Sequence, residues 1–337
     1  MTSANRPGYQ KRKTHSVPRA IFLAILSVLI GLIASCANLA RVSDQSIPKL
    51  VTPLVETDFK SLVEQLQPLI KLQALRSSRL LIQFVDAESA KKYYDADGIL
   101  VLQRPDKIRL VVQAPVTGTR ITEMVSEANR FKVAIYYRDY RRFLIGTNNA
   151  DYSHWREKLG REGQSALIAA RPFHFTEALM VRPLHLGEPG FIYGFEEAIV
   201  EEADLRPGAK RNARLLRSFY VISELELSSE NSQPARVRRR FWFDRTDQAR
   251  LARQQIFDNR GILTTEVRYS NYQRLLAESS QWWPGVIIVT RPYDHYSARL
   301  TFTEGKFEVD PELPASAFVL ENKEGLPETD LDKPEAE

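Results

Sequence analysis

Apolar residues recur along this chain in three rhythms, and each predicts a different structure. From Ala20 to Ala34 they form an unbroken run of 15 residues. Between Phe59 and Ile70 they fall at Phe59, Leu62, Val63, Leu66, Leu69 and Ile70, one stripe of a 3.6-residue period, which predicts an amphipathic helix. Thr57 or Asp58 can cap its start, and Pro68 is expected to kink or end it. From Arg79 the period becomes two. Leu80, Ile82 and Phe84 alternate with Leu81 and Gln83, and Ile99 to Arg104, Lys107 to Gln113, Thr119 to Ser126, Phe131 to Tyr137 and Tyr140 to Gly146 continue the series. Turn chemistry sits at the joints, in Asp97-Gly98, Pro105-Asp106, Pro115 to Gly118 and Asn129, which describes consecutive antiparallel hairpins.

Residues 147–190 break the rhythm, with short helices expected over Tyr152 to Leu159 and Phe173 to Val181. Strands resume at Phe191 to Ile199, Leu216 to Leu227, Arg236 to Phe243, Ala249 to Phe257, Ile262 to Tyr272, Val286 to Arg291 and Ser297 to Phe302. Residues 203–214 read as a surface excursion. A dozen strands left flat would expose a whole apolar face. The pattern therefore predicts a mainly β (α+β) fold: a curved antiparallel sheet forming an open or half β-barrel, with helices packed on the concave side. Inward positions on the early strands are Leu80, Ile82, Phe84, Ile108, Leu110, Val112, Phe131, Val133 and Ile135. They line a cavity for a hydrophobic ligand or fill an ordinary packed core. The leading helix is correspondingly a movable lid or a permanent plug.

Charge changes the picture only at the N-terminus. The chain carries 47 Lys+Arg against 42 Asp+Glu. The five surplus charges equal Arg6, Lys11, Arg12, Lys13 and Arg19, all ahead of the apolar run, so the rest of the chain is balanced and its basicity gives no argument for nucleic acid. As a helix the apolar run would cover about 22 Å at ~1.5 Å per residue, short of a hydrocarbon layer of ~30 Å. A basic stretch, a short apolar run and small residues at its end make a signal segment. Ile33-Ala34-Ser35-Cys36 closes it and resembles the bacterial lipobox, in which two small residues precede a cysteine. That resemblance implies cleavage between Ser35 and Cys36 and a covalent lipid on Cys36, with an uncleaved anchor helix or a plain secretory signal as the other readings. The single cysteine cannot form a disulfide within the chain. Ala37 follows, where Asp would imply retention at the inner membrane, so outer-membrane attachment facing the periplasm is expected.

Catalytic patterns are sparse. His15, His154, His174, His185 and His295 are too dispersed for metal-ligand spacing, and there is no G-x-S-x-G elbow or glycine-rich phosphate loop. Asp294 and His295 adjoin, but neighbours on a strand point to opposite faces, so they make a poor dyad. No catalytic residue, metal site or cofactor beyond the covalent lipid is expected, and no enzyme. Arg236, Arg238, Arg239 and Arg240 run into Phe241-Trp242-Phe243. On a strand, Arg236, Arg238 and Arg240 share one face, read as a solvated outer face or a contact for lipid head groups. From Glu321 seven acids face two lysines, which predicts a solvated, disordered tail.

The leading helix, the hairpins carrying Gly98 to Pro105 (GILVLQRP) and Lys107 to Leu110 (KIRL), and the strand Trp283 to Val289 (WPGVIIV) resemble the bacterial lipoprotein-localisation fold. Its members include the periplasmic carrier LolA and the outer-membrane acceptor LolB. The resemblance spans roughly residues 57–320 and implies an unclosed barrel that holds acyl chains under helical lids. It divides the chain into a signal peptide (1–35), a lipidated Cys and tether (36–56), the barrel (57–320) and the acidic tail (321–337). The partners it implies are the membrane through the lipid anchor, lipid or lipoprotein cargo, and other envelope proteins. The family's acceptor enters the membrane with an apolar side chain on a protruding loop. The matching hairpin here, Ala114 to Gly118, reads as lacking a large exposed hydrophobe. The other class of function is a membrane-tethered scaffold or assembly subunit with no lipid cargo.

Overall fold

The computed structural model describes residues 48–86, 92–137, 140–148, 150, 152, 155, 170–204, 206–228, 234–275 and 281–333. Leu50–Glu337 form one compact unit. Ser35, Cys36 and the whole signal segment lie outside the described residues.

A two-residue strand β1 (Lys49–Leu50) precedes the leading helix, α1 (Phe59–Lys71). Asp58 caps α1 by accepting a hydrogen bond from Ser61 N at 2.8 Å, and Leu62, Leu66 and Leu69 form its buried stripe. The helix runs through Pro68 and ends three residues later at Lys71. The proline neither ends the helix nor separates Leu69 from the buried stripe.

Two antiparallel meanders follow. The first is β2 (Ala74–Asp86), β3 (Lys92–Gln103), β4 (Lys107–Gln113), β5 (Arg120–Glu127), β6 (Arg130–Ile135) and β7 (Arg142–Thr147). The second is β8 (Phe191–Ala203), β9 (Arg214–Glu226), β10 (Arg236–Asp244), β11 (Arg250–Phe257), β12 (Leu263–Arg274), β13 (Trp282–Arg291) and β14 (Tyr296–Phe302). Residues 204–213, read as an excursion, are the turn between the paired strands β8 and β9. In β13 Gly285 lets the backbone approach β12 closely, since a Cβ there would sit 2.4 Å from the Asn271 carbonyl oxygen. Only glycine permits that approach.

The meanders join where β14 pairs β2, from Tyr296 opposite Asp86 to Phe302 opposite Leu80. A short strand β15 (Phe307–Val309) continues along the same edge of β2. The result is one large sheet that does not close: β8 forms one margin and β7 lies near the other. Between the meanders the chain supplies α2 (Pro172–Leu179), with Pro172 in its first turn. This helix packs against β4, β5 and β13, strands from both meanders. A flat sheet would hold those strands far apart, so the sheet curves around the helix. The expected helix over residues 152–159 falls outside the described residues except for Tyr152 and Trp155.

Two expectations are corrected. The end of the predicted tether is docked: Val51 N donates to Leu216 O at 2.9 Å and Val55 N to Arg245 O at 2.8 Å. The predicted acidic tail is docked as well, through residue 333. Phe318, Leu320 and Leu326 bury themselves against Val101, Val125, Ala134 and Phe143 on the outer face of the first meander. Arg109 donates to Ala317 O, and β16 (Glu328–Asp330) pairs in parallel with β7. Leu331 then joins the inner core. Composition missed the docking of this strap from Glu321 onward because Leu326 and Leu331 are spaced among acids, yet each meets an apolar site.

Candidate functional site

All nine inward positions read from the sequence lie on the concave face. Leu80, Ile82, Phe84, Ile108, Leu110, Val112, Phe131, Val133 and Ile135 are each at most 3% exposed and belong to one apolar cluster. On β4 the alternation is complete, because every second residue is buried from Ile108 to Val112. The cluster continues across the seam through Leu300, Ala298, Ile287, Val267, Phe241 and Phe243 of the second meander. Leu62, Leu66 and Leu69 of α1 and Phe175, Ala178 and Leu179 of α2 cover it. In the described state these nine residues pack against the helices, and none of them lines the three cavities described below.

One arginine ties both helix ends to the sheet. Arg104, at the β3–β4 turn, donates to Leu69 O at 2.8 Å, Leu72 O at 2.6 Å and Val181 O at 3.0 Å. These are carbonyls that a helix end leaves unsatisfied, and a cation there also complements the helix dipole. Burial, and then the charge of Arg182, lowers the Arg104 pKa.

The polar residues that sequence reasoning undervalued gather beside α2. A cavity of about 740 Å³ runs between the β3–β4 turn, the segment after α2 and strands β9–β11. One wall is a closed charge network. The Glu224 carboxylate, fully buried, accepts from Arg239 Nε at 2.9 Å and Arg239 Nη2 at 2.9 Å. It also accepts from His185 N at 3.1 Å and the Tyr193 hydroxyl at 3.4 Å. Arg239 spends its remaining donors on Arg182 O and Pro183 O. Burial, and then the Glu224 charge, pushes the Tyr193 hydroxyl up to about 12.

The reading of the basic strand is corrected here. Arg236 and Arg240 were placed with Arg238 on an outer face, but a β-bulge intervenes between Val237 and Arg239. An extra residue in one strand re-aims its side chain. Arg238 consequently lines the cavity, with Nε 3.3 Å from Glu226 Oε2. No periodicity count would find this, since a bulge is an exception to the period.

A second cavity, about 460 Å³, lies on the other side of Glu177 and shares with the first Glu177, Arg238, Ile256 and Phe257. Its floor holds His174, set aside in the sequence as one of five dispersed histidines. His174 Nδ1 lies 2.6 Å from the Tyr296 hydroxyl, and its Nε2 is 3.9 Å from Asp294, which Arg291 holds at 2.7 Å. Burial, then Arg291 and Arg171, holds the imidazole well below its ordinary pKa, so it is neutral and shares one hydrogen bond with the Tyr296 hydroxyl. Asp294 thus approaches His174 rather than its neighbour His295. A third cavity, about 380 Å³, separates α1 from Arg250, Tyr272 and Trp282, with Arg250 stacked 4.2 Å over the Trp282 ring. Among the described residues no group of three His, Cys, Asp or Glu could hold a metal ion, and no helix is long and apolar enough to cross a membrane.

The hairpin between β4 and β5 differs from its sequence reading. Val116 sits at its tip, fully exposed, at a φ of 74°. A β-branched side chain in the left-handed region is unusual. The loop therefore does present a hydrophobe.

No family model and no curated protein matches the sequence. Solved structures of similar overall course include a LolA superfamily protein from Nitrosomonas europaea, at 9% identity and a TM-score of 0.40, covering 79% of this chain and 99% of that one. A DUF1329 family protein from Desulfovibrio piger aligns at 11% identity and a TM-score of 0.43, covering 77% and 95%. A domain from Vibrio parahaemolyticus described as outer membrane lipoprotein-sorting aligns at 11% identity and a TM-score of 0.38, covering 77% and 97%.

Proposed function

We propose that this chain is an envelope lipoprotein, anchored in the outer membrane through a lipid on Cys36 and facing the periplasm, that holds an acyl chain of a lipid or lipidated protein. The observation that carries the reading is the continuous apolar concave face of an unclosed sheet, covered by two separate short helices. Exchange of a helix stripe for an acyl chain replaces apolar contact with apolar contact. Each methylene buried contributes about 0.8 kcal/mol, so a chain of ordinary length offsets the loss of Leu62, Leu66 and Leu69 from the same surface. Arg104 sets the cost of opening, because α1 cannot lift without releasing its terminal carbonyls. The exposed Val116 would touch a bilayer first. No catalytic residue is required.

The second reading is a membrane-tethered scaffold or assembly subunit without lipid cargo. The packing of the concave face favours it, as do Ile192, Phe195 and Ile199, exposed on the margin strand β8. Native mass spectrometry of the full chain in detergent, followed by lipid extraction, separates the two. An acyl species retained at one per chain supports the carrier. A mass that stays ligand-free with added phospholipid overturns it and leaves the scaffold.

A further inference from the structure

The two cavities beside α2 hold two acids in opposite states, Glu224 fully buried and Glu177 partly exposed. Glu224 is saturated by Arg239, His185 and Tyr193. Glu177 is not: its side chain is only 17% exposed, and its nearest ion-pair partner, Arg182 Nη2, stands 3.9 Å away, beyond hydrogen-bond reach. Its carboxylate therefore faces the cavity with no close cation, where a ligand can supply one. Burial raises the Glu177 carboxyl pKa, as expected of a group without a full partner.

Guanidinium groups share the same walls. Arg182 is 57% exposed and has no closer carboxylate than Glu177. Arg238, turned inward by the bulge and held on one side by Glu226 at 3.3 Å, lines both cavities, as Glu177 does. A simple anion would meet Glu177, and a simple cation would meet Arg182 and Arg238. A ligand with both signs a few ångströms apart matches both. Ile256, Phe257, Leu184 and Phe191 supply apolar surface around it, and about 740 Å³ is ample for such a group. The helix itself links the two environments, since Glu177 lies between Thr176 and Ala178 on α2, whose Phe175, Ala178 and Leu179 cover the apolar face.

We infer that this wall binds an aminoalkyl phosphate, the ammonium on Glu177 and the phosphate on Arg182 and Arg238. Where that group is a zwitterionic phospholipid headgroup, the inference rests on the acyl-binding reading above. Where it is a soluble phosphate ester, it does not.

The test uses the full chain in mild detergent, offered phosphatidylethanolamine or phosphatidylglycerol of identical chains in native mass spectrometry. In parallel, O-phosphoethanolamine is titrated by calorimetry. The expected result is a preference of about tenfold or more for the ethanolamine lipid, erased in Glu177→Gln while acyl binding persists. Arg182→Gln, at an exposed position that cannot disturb folding, should weaken both O-phosphoethanolamine and the lipid preference. Equal retention of the two lipids overturns the headgroup site and leaves acyl binding intact. Binding of O-phosphoethanolamine with no phospholipid retained supports the site and overturns acyl binding. Binding of neither overturns both.

Discussion

At the scale of residues, the two acids of the α2 cavity should respond oppositely to mutation. Removing one partner of a buried ion pair leaves an uncompensated charge, so Arg239→Met or Glu224→Gln is expected to cost about 3–5 kcal/mol. The double replacement Arg239→Met with Glu224→Leu should recover most of that loss, since the pair's desolvation cost disappears with it. Urea denaturation of the three variants measures the cycle, and additive losses would show that the pair is not coupled. Glu177→Gln should instead stabilise the protein at neutral pH. Its folded pKa is raised by burial, so the charged form is penalised in the fold. That penalty is absent below the ordinary carboxyl value of 4.5 and develops as pH rises through the raised folded value. The melting-temperature gap between variant and wild type should open across that window, and a gap unchanged with pH would contradict it. None of this was visible along the chain. Glu177, Glu224 and Arg239 are scattered charges in a balanced composition, and what distinguishes them is burial, which only folding assigns.

At the scale of elements, the period-two and period-3.6 rhythms carried well. The strand Lys107–Gln113 was legible to the residue, and the nine inward positions were found because alternation is enforced wherever one face is buried. The losses fall where a local rule is broken by a distant partner. The bulge in β10 shifts Arg238 to the inner side against its parity. The acidic stretch from Glu321 looks solvated by composition but seats Leu326 beside Phe318 and Leu320 on β3 to β7. Leu326→Asp should therefore undock the strap. The residues from Leu313 to Leu331 are then expected to become the first sites of limited proteolysis, while the core remains folded, and protection equal to wild type would disprove the docking. Acid should loosen the same element. Burial alone would raise the Asp332 pKa, but hydrogen bonds from Tyr152 and Thr147 outweigh it and hold it low. Their contribution is present above the ordinary value of 3.8 and is lost as pH falls through the lower folded value.

At the scale of the whole molecule, β2 is the keel. It pairs β3 on one side and both β14 and β15 on the other, so its amides cannot open without parting the meanders. Hydrogen exchange at Leu80, Ile82 and Phe84 should require global unfolding, whereas amides on the outer margin of β8 exchange through local opening. Comparable rates at the two places would mean that the seam is not the stable centre. The strap also imposes an order of events. Val101, Val125, Ala134 and Phe143 are among the first apolar residues of the sheet to be made, yet the side chains that cover them come more than 170 residues later. During synthesis the first meander must wait with its outer face bare. Partial chains therefore carry an uncovered apolar face until the strap is made, and are sticky for as long as it is missing.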